Sequence, residues 1–391
     1  MVTECRPLIE ILSEIPDLRK EKGKRHPLPA ILALACVATL CGCKTYAAIA
    51  QWGRDYDQEF IKALGFKHKK TPCAATLFLV FIKINIKLLE LKLGQWAESI
   101  LKHTNEKVKG EVKEASKDDS DAPIDNGVAL DGKTLRGSKN QGANVTHLLS
   151  AVSHSLGVVL AQCNVDSKTN EIGVVDEILK ELVLEGRIVT ADALLTQREV
   201  CKTIIEEGGD YVMASKGNQK GLLDDVKTVF DGPCSNLLPK SSSETLDIEH
   251  GRIEHRRITV SEALKGYSDW PGLEQVFMIE RLFTEKKTGK VEQETSYGLT
   301  SLTSEEASPW KLLKLLRGHW HIENKLHWVR DVTFDEDRSQ VRKGNIQEVM
   351  ACIRNVVIGL LRLTGETNIA SACRRYAAQP AKALQLIGIQ I

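Results

Sequence analysis

Between Gly127 and Phe230 the sequence alternates short apolar runs with amphipathic stretches, and this alternation narrows the fold more than any other feature. Val128–Leu130 is a short buried run that ends at Asp131, and His147–Val152 and Val158–Val165 read as two more strands around Gly157. Glu171–Leu184 has helical spacing, Arg187–Ala191 is a buried strand ending at Asp192, and Gln197–Glu207 is a helix. Asp210–Ala214 is a strand that runs into Ser215 and Lys216, and Gly221–Phe230 is a helix. Strands separated by helices predict an α/β sheet with covered faces. Residues 233–302 break the rhythm: Glu244–Val260, Gln275–Phe283 and Val291–Leu302 alternate polar and apolar residues with no good helix between them, as a β-rich insertion would. From Ser304 the spacing is helical again, over Pro309–Asp331 and about Asn345–Leu363.

Residues 1–103 read as a small all-α module. Ile31, Leu32, Leu34, Ala35 and Val37 make a helix stopped at Gly42, with Tyr46, Ile49 and Trp52, then Phe60, Leu64 and Phe66, at helical spacing behind it. Thr76–Leu101 is apolar on every side and is expected in the core. The apolar run Pro27–Cys43 is shorter than the roughly 20 residues of a membrane span and reads as a buried helix. Met1–Lys24 lacks the apolar core of a signal peptide. Residues 104–126 are polar, the best linker candidate, and residues 127–391 form the second domain.

With 53 Lys+Arg against 52 Asp+Glu, the formal net charge is only +1, so nucleic-acid binding would have to use local basic patches. Two such clusters flank the first helices, Arg19 to Arg25 and Lys67 to Lys70; a solvated face and a DNA contact are both open to them. The ten cysteines contain no CxxC pair and read as reduced thiols, which places the chain in the cytoplasm.

Three constellations carry chemistry. Asp131 and Asp192 each end a strand, and ligand sites in α/β sheets form outside the carboxyl ends of the strands. Two aspartates that close repel unless a cation or proton neutralises them, and their oxygens suit Mg²⁺ or Mn²⁺. Each could also simply cap a turn. Second, spacing of four sets His319, Glu323 and His327 on one helical face, as a third metal carboxylate, a zinc site, or a self-paired core helix; the HExxH order of zinc proteases is absent. Third, Gly127–Thr134 (GVALDGKT) fits the P-loop spacing, but its interior is itself a strand and the following residues open no good helix, so an NTPase is the lesser alternative. Lys133, Arg136 and Lys216 flank the strand ends, and the insertion adds His250, Arg252, Arg256 and Arg257, charges that suit a polyanionic substrate.

These residues resemble the DDE-type insertion-sequence transposases, specifically the group of the H-repeat-associated proteins. The motifs are residues 130–138, 168–172, 189–193, 210–219, 250–256 and 319–337, with Arg354 and Asn355 downstream and Arg25–Gly65 similar to the group's associated helical domain. The resemblance spans nearly the whole chain. It implies an RNase H-like catalytic core with a β-rich insertion before the last acid, and a catalytic, metal-binding triad of Asp131, Asp192 and Glu323. It also implies two Mg²⁺ or Mn²⁺ ions, cleavage of transposon ends and strand transfer into target DNA. Lys133, Arg136, Lys216, Arg252 and Arg330 would hold DNA, and the protein would be a homodimer or larger on DNA, associated with the nucleoid and not with a membrane. Where the wider superfamily has Tyr, Arg and Lys around the Glu, this chain has Leu316, His319 and Arg330. A DNA nuclease on the same fold and an inactive DNA-binding remnant remain as alternatives.

Overall fold

A computed structural model of the chain describes residues 6–111, 126–138, 145–165, 171–249 and 251–390. Its elements are α1 (Leu8–Ser13), α2 (Leu28–Leu40), α3 (Tyr46–Arg54), α4 (Gln58–Ala63), α5 (Ala74–Lys83), α6 (Ile86–Glu111), β1 (Gly127–Thr134), β2 (His147–Ser153), β3 (Val159–Val165), α7 (Glu171–Glu181), β4 (Ile188–Ala191), α8 (Arg198–Glu206) and β5 (Asp210–Ser215). They continue with α9 (Lys220–Asp231), β6 (Ser241–Glu249), β7 (Arg252–Ser261), β8 (Gln275–Glu285), β9 (Val291–Thr300), α10 (Pro309–His319), α11 (Trp328–Val332), α12 (Ile346–Leu363), α13 (Ile369–Ala378) and α14 (Pro380–Leu386). The chain divides into a sheet unit, from the described residues of 126–131 and 171–320, and a helical unit, from those of 6–111, 132–165 and 321–390.

In the sheet unit the strands follow the order β1-β4-β5-β9-β8-β7-β6. The first three are parallel, with Leu130 opposite Ala191 and Ala191 opposite Met213. Ile188–Ala191 is buried at every position, as a central parallel strand covered on both faces must be. β9 returns antiparallel to β5, and β8, β7 and β6 continue as an antiparallel meander. The β-rich segment therefore extends the same sheet instead of forming a separate module. Gly298 makes the junction possible: a Cβ there would lie 2.2 Å from the Phe277 ring and 2.4 Å from the Met213 carbonyl oxygen. Tyr297 pairs with Ser215, the last residue of β5, so the part of β9 from Val291 to Ser296 runs on past that end for roughly 20 Å. Ile258, Val260, Phe277 and Ile279 pack with Leu312, Leu313 and Leu315 of α10, which starts with Pro309 and is capped by Ser308.

In the helical unit the helices expected as a small all-α domain over 1–103 share a core with helices from the later part of the chain. α2 is buried all round because it packs against α1, α3, α12, α13 and α14, drawn from both ends of the chain. α6 lies on β3, where Gly94 lets the helix approach the Leu160 carbonyl, a position at which a Cβ would sit 2.3 Å from the oxygen. The single stretch expected over Thr76–Leu101 is two helices. They separate at the extended Ile84, and Asn85 caps the second by accepting from the Leu88 amide. α6 then continues to Glu111, into the stretch expected as a linker, whose residues 112–125 lie outside the described ones. The helix expected over Pro309–Asp331 is likewise interrupted: a π turn, Ile322–His327, separates α10 from α11. Among the described residues no helix is long and apolar enough to cross a membrane.

Candidate active site

The β1–β4 register carries Asp131 and Asp192 to the same level, one residue past the Leu130–Ala191 pair. Asp131 lies within β1, which runs on to Thr134, and Asp192 is the first residue past β4; neighbouring strands are spaced about 4.8 Å apart, and ligand sites in such sheets lie toward the carboxyl ends of the strands. Asp192 is held by its own turn: Oδ1 accepts from the amides of Leu194 (3.0 Å) and Leu195 (3.3 Å). Thr196 fastens that turn to β5, with its hydroxyl donating to the Ala214 carbonyl at 2.6 Å and lying 3.1 Å from the Asp192 carbonyl. Asn218, just after β5, donates to the Ala193 carbonyl at 2.6 Å. Thr196 has no role in the sequence reading and Asn218 enters it only within the 210–219 motif; a Thr four residues after a strand-end Asp is the one signal that points to the clamp.

His319 ends α10 with Nδ1 3.2 Å from the buried Thr190 hydroxyl, one strand position from the Ala191–Asp192 turn. Burial lowers the imidazole pKa, and the charge of Asp192 only partly offsets this. His319 is therefore neutral near pH 7 and brings no positive charge to the aspartates. The carboxylate pair has the donor chemistry of a hard divalent cation, for which one or two carboxylates plus waters and substrate phosphates suffice. Among the described residues no group of three or more His, Cys, Asp or Glu side chains is gathered in a metal-binding cluster.

Glu323 belongs to the helical unit, exposed within the π turn. The nearby acids have cations: Asp331 holds Lys133 at 2.6 Å, Asp335 faces Arg338, and Asp337 lies between Lys133 and Arg136. Glu336 is fully buried between Arg330 and Arg354, 2.7 Å from each. Burial pushes its carboxyl pKa up, but the two guanidinium charges pull harder and hold it at about 2. Asp335, just before it, has a left-handed backbone (φ 54°), rare for a residue other than glycine. Among the described residues no ion pair involves Glu323, which leaves it the uncommitted acid of this stretch.

The cations expected to hold DNA separate by position. Lys216 is exposed just beyond β5, at the same sheet edge as Asp131 and Asp192, and Arg136 is exposed in the helical unit. Arg252 is exposed but sits on β7, five strands from β1 and so roughly 24 Å to the side. His250 lies outside the described residues. Arg330 needs correction: it is 0% exposed and committed to Glu336, so it braces the fold and offers no phosphate contact. Lys133 is 8% exposed and bound to Asp331, which also removes it from an open surface. Gly127–Thr134 is one continuous strand, and with no loop before Lys133 a P-loop is excluded.

Comparison with known proteins agrees with the motifs. Residues 123–360 match the family described as Transposase DDE domain, and residues 9–97 match the one described as DDE_Tnp_1-associated. The chain is 30% identical over 361 residues to "Putative transposase YncI" of Escherichia coli O157:H7, covering 91% of this chain and 87% of that protein. It is 30% identical over 369 residues to "H repeat-associated putative transposase YhhI" of Escherichia coli (strain K12), covering 92% and 91%.

Proposed function

Since the chain belongs to the family of DDE-domain transposases, we propose that it cleaves the phosphodiester backbone at the ends of an insertion sequence and joins those ends to target DNA, on an RNase H-like core. The observation that supports this most is that Asp131 and Asp192 directly follow Leu130 and Ala191, which pair on adjacent parallel strands. Glu323 is the third member, favoured because the other acids between it and Asp337 are already matched with cations. These three carboxylates would hold Mg²⁺ or Mn²⁺, two ions in all, which when bound activate the attacking oxygen and stabilise the departing one. The Leu194 and Leu195 amides fix the Asp192 carboxylate, so its second oxygen keeps one direction. Lys216 and Arg136 are suited to phosphates flanking the reacting one, a positioning role without sequence information. DNA is the partner, and paired ends call for a dimer or larger assembly.

The test uses purified protein and DNA carrying the ends of its own element. Nicking and joining should require Mg²⁺ or Mn²⁺, and Asp131→Asn, Asp192→Asn and Glu323→Gln should each abolish both while end binding persists. Cleavage at the wild-type rate in either Asp variant would overturn the assignment. Nicking without joining to an unlabelled target would reduce the protein to a nuclease.

A further inference from the structure

We propose that a basic groove in the helical unit holds an unpaired DNA strand, with one base stacked on Trp328. This deepens the transposase reading and rests on it. The groove, about 760 Å³, lies between the α2–α3 connection, the π turn with α11, and the start of α13. Its charged lining is Lys44, Arg362 and Arg374, and no Asp or Glu is among the lining residues. In a chain with 53 basic and 52 acidic residues, a concavity lined by cations alone is a local excess of positive charge with an anion as its natural occupant.

Two features select a single strand over a duplex. First, Trp328 opens onto the groove with 57% of its surface exposed, an unfavourable place for an indole without a planar partner. A cationic groove that tracks the backbone beside an aromatic platform is the general arrangement for unpaired nucleic acid, worth about 1–3 kcal/mol per stacked base. Second, the volume is that of a small-molecule pocket, about 300–1,000 Å³. Arg362 is already anchored in place, because Nη1 donates to the carbonyls of Glu366 and Thr367 and so holds the guanidinium at the wall. Asn324 also lines the groove and directly follows Glu323, so a strand lying here would pass one residue from the third proposed acid.

The experiment is fluorescence anisotropy of labelled (dT)20 and of a 20-base-pair duplex, with full-length protein at several salt concentrations. Trp328→Ala should weaken (dT)20 binding about 5- to 160-fold, the span of one stacking contact, with an unchanged salt slope. Trp328→Phe should recover most of it. Lys44→Ala with Arg374→Ala should lower the salt slope by roughly 1.4, at about 0.7 per phosphate contact on a single strand. These side chains are exposed, and melting temperatures within about 1 °C of wild type would verify folding. Unchanged (dT)20 affinity in the Trp328→Ala and double variants would overturn the proposal, as would an equal loss on duplex, which would make this a duplex backbone site. The outcome is separable from the catalytic assignment. If Asp131→Asn abolishes cleavage but the groove variants bind normally, the groove alone is wrong. If groove variants lose (dT)20 while Asp131→Asn still cleaves, the catalytic assignment alone is wrong.

Discussion

Replacing Glu336 by Gln removes one negative charge from a site where two guanidinium groups converge and water is excluded. The carboxyl is held at about 2 in the folded chain, against an ordinary 4.5. Because the folded value is depressed, the stabilisation is complete above pH 4.5 and is lost as pH falls toward 2. A difference of that size corresponds to about 3 kcal/mol, at about 1.4 kcal/mol per unit. Breaking a buried ion pair from one side costs about 3–5 kcal/mol by comparison with other proteins, so the two routes agree. At about 2–4 °C per kcal/mol, the Glu336→Gln chain should melt about 6–12 °C lower at pH 7. Circular dichroism melts at pH 7 and pH 4 would measure it, and the gap should narrow at pH 4, where the unfolded wild-type carboxyl is also largely protonated. Replacing Arg330, Glu336 and Arg354 together by Met, Leu and Leu should recover much of the loss, since no charge is then left unpaired. A Glu336→Gln melting temperature within 1 °C of wild type at pH 7 would refute the reasoning.

Gly298→Ala should destabilise the sheet unit by roughly 1–3 kcal/mol, because the new methyl has to displace the Phe277 ring or the Met213 carbonyl; chemical denaturation reads it, and a neutral result means that β8 and β5 yield easily. Thr196→Val keeps the shape but leaves the Ala214 carbonyl without its donor, for a loss of about 1–3 kcal/mol and slower metal-dependent cleavage as the Asp192 turn loosens; wild-type cleavage would show that the turn holds without the clamp. His319 has a folded pKa below its ordinary 6.5, so its contribution is complete above pH 6.5 and declines as pH falls from there toward the folded value. His319→Asn should flatten the stability profile between pH 7 and 5, and parallel profiles would remove the buried imidazole as their cause.

The two aspartates were legible because each closes a short apolar run, a pattern that needs no knowledge of the tertiary fold; only Asp192 proves to end its strand, since β1 continues past Asp131 to Thr134. Glu323 could be picked out only within a stretch crowded with acids, because Asp331 and Asp337 find their cations far away in the chain: Lys133 lies 198 residues before Asp331. For the same reason Arg330 looked like a surface ligand. Its burial depends on Glu336, and Glu336 in turn on Arg354 from a later helix. The apolar pattern of α2 announced burial but could not name α12 as the cover. The π turn escaped notice because Ile322–His327 keeps helical composition while adding a residue to the turn.

Because the helical unit draws on both termini, its core cannot close during synthesis until the last segment emerges. About 300 residues separate the end of α2 from the start of α12, which at roughly 5–20 residues per second is a wait of about 15–60 s with one of the most apolar helices in the chain uncovered. A nascent or prematurely terminated copy that stops before Ile346 would present that bare surface to chaperones and proteases. Messages cut short upstream of α12 should therefore yield insoluble or rapidly cleared protein, even when every codon for the acidic residues has been translated.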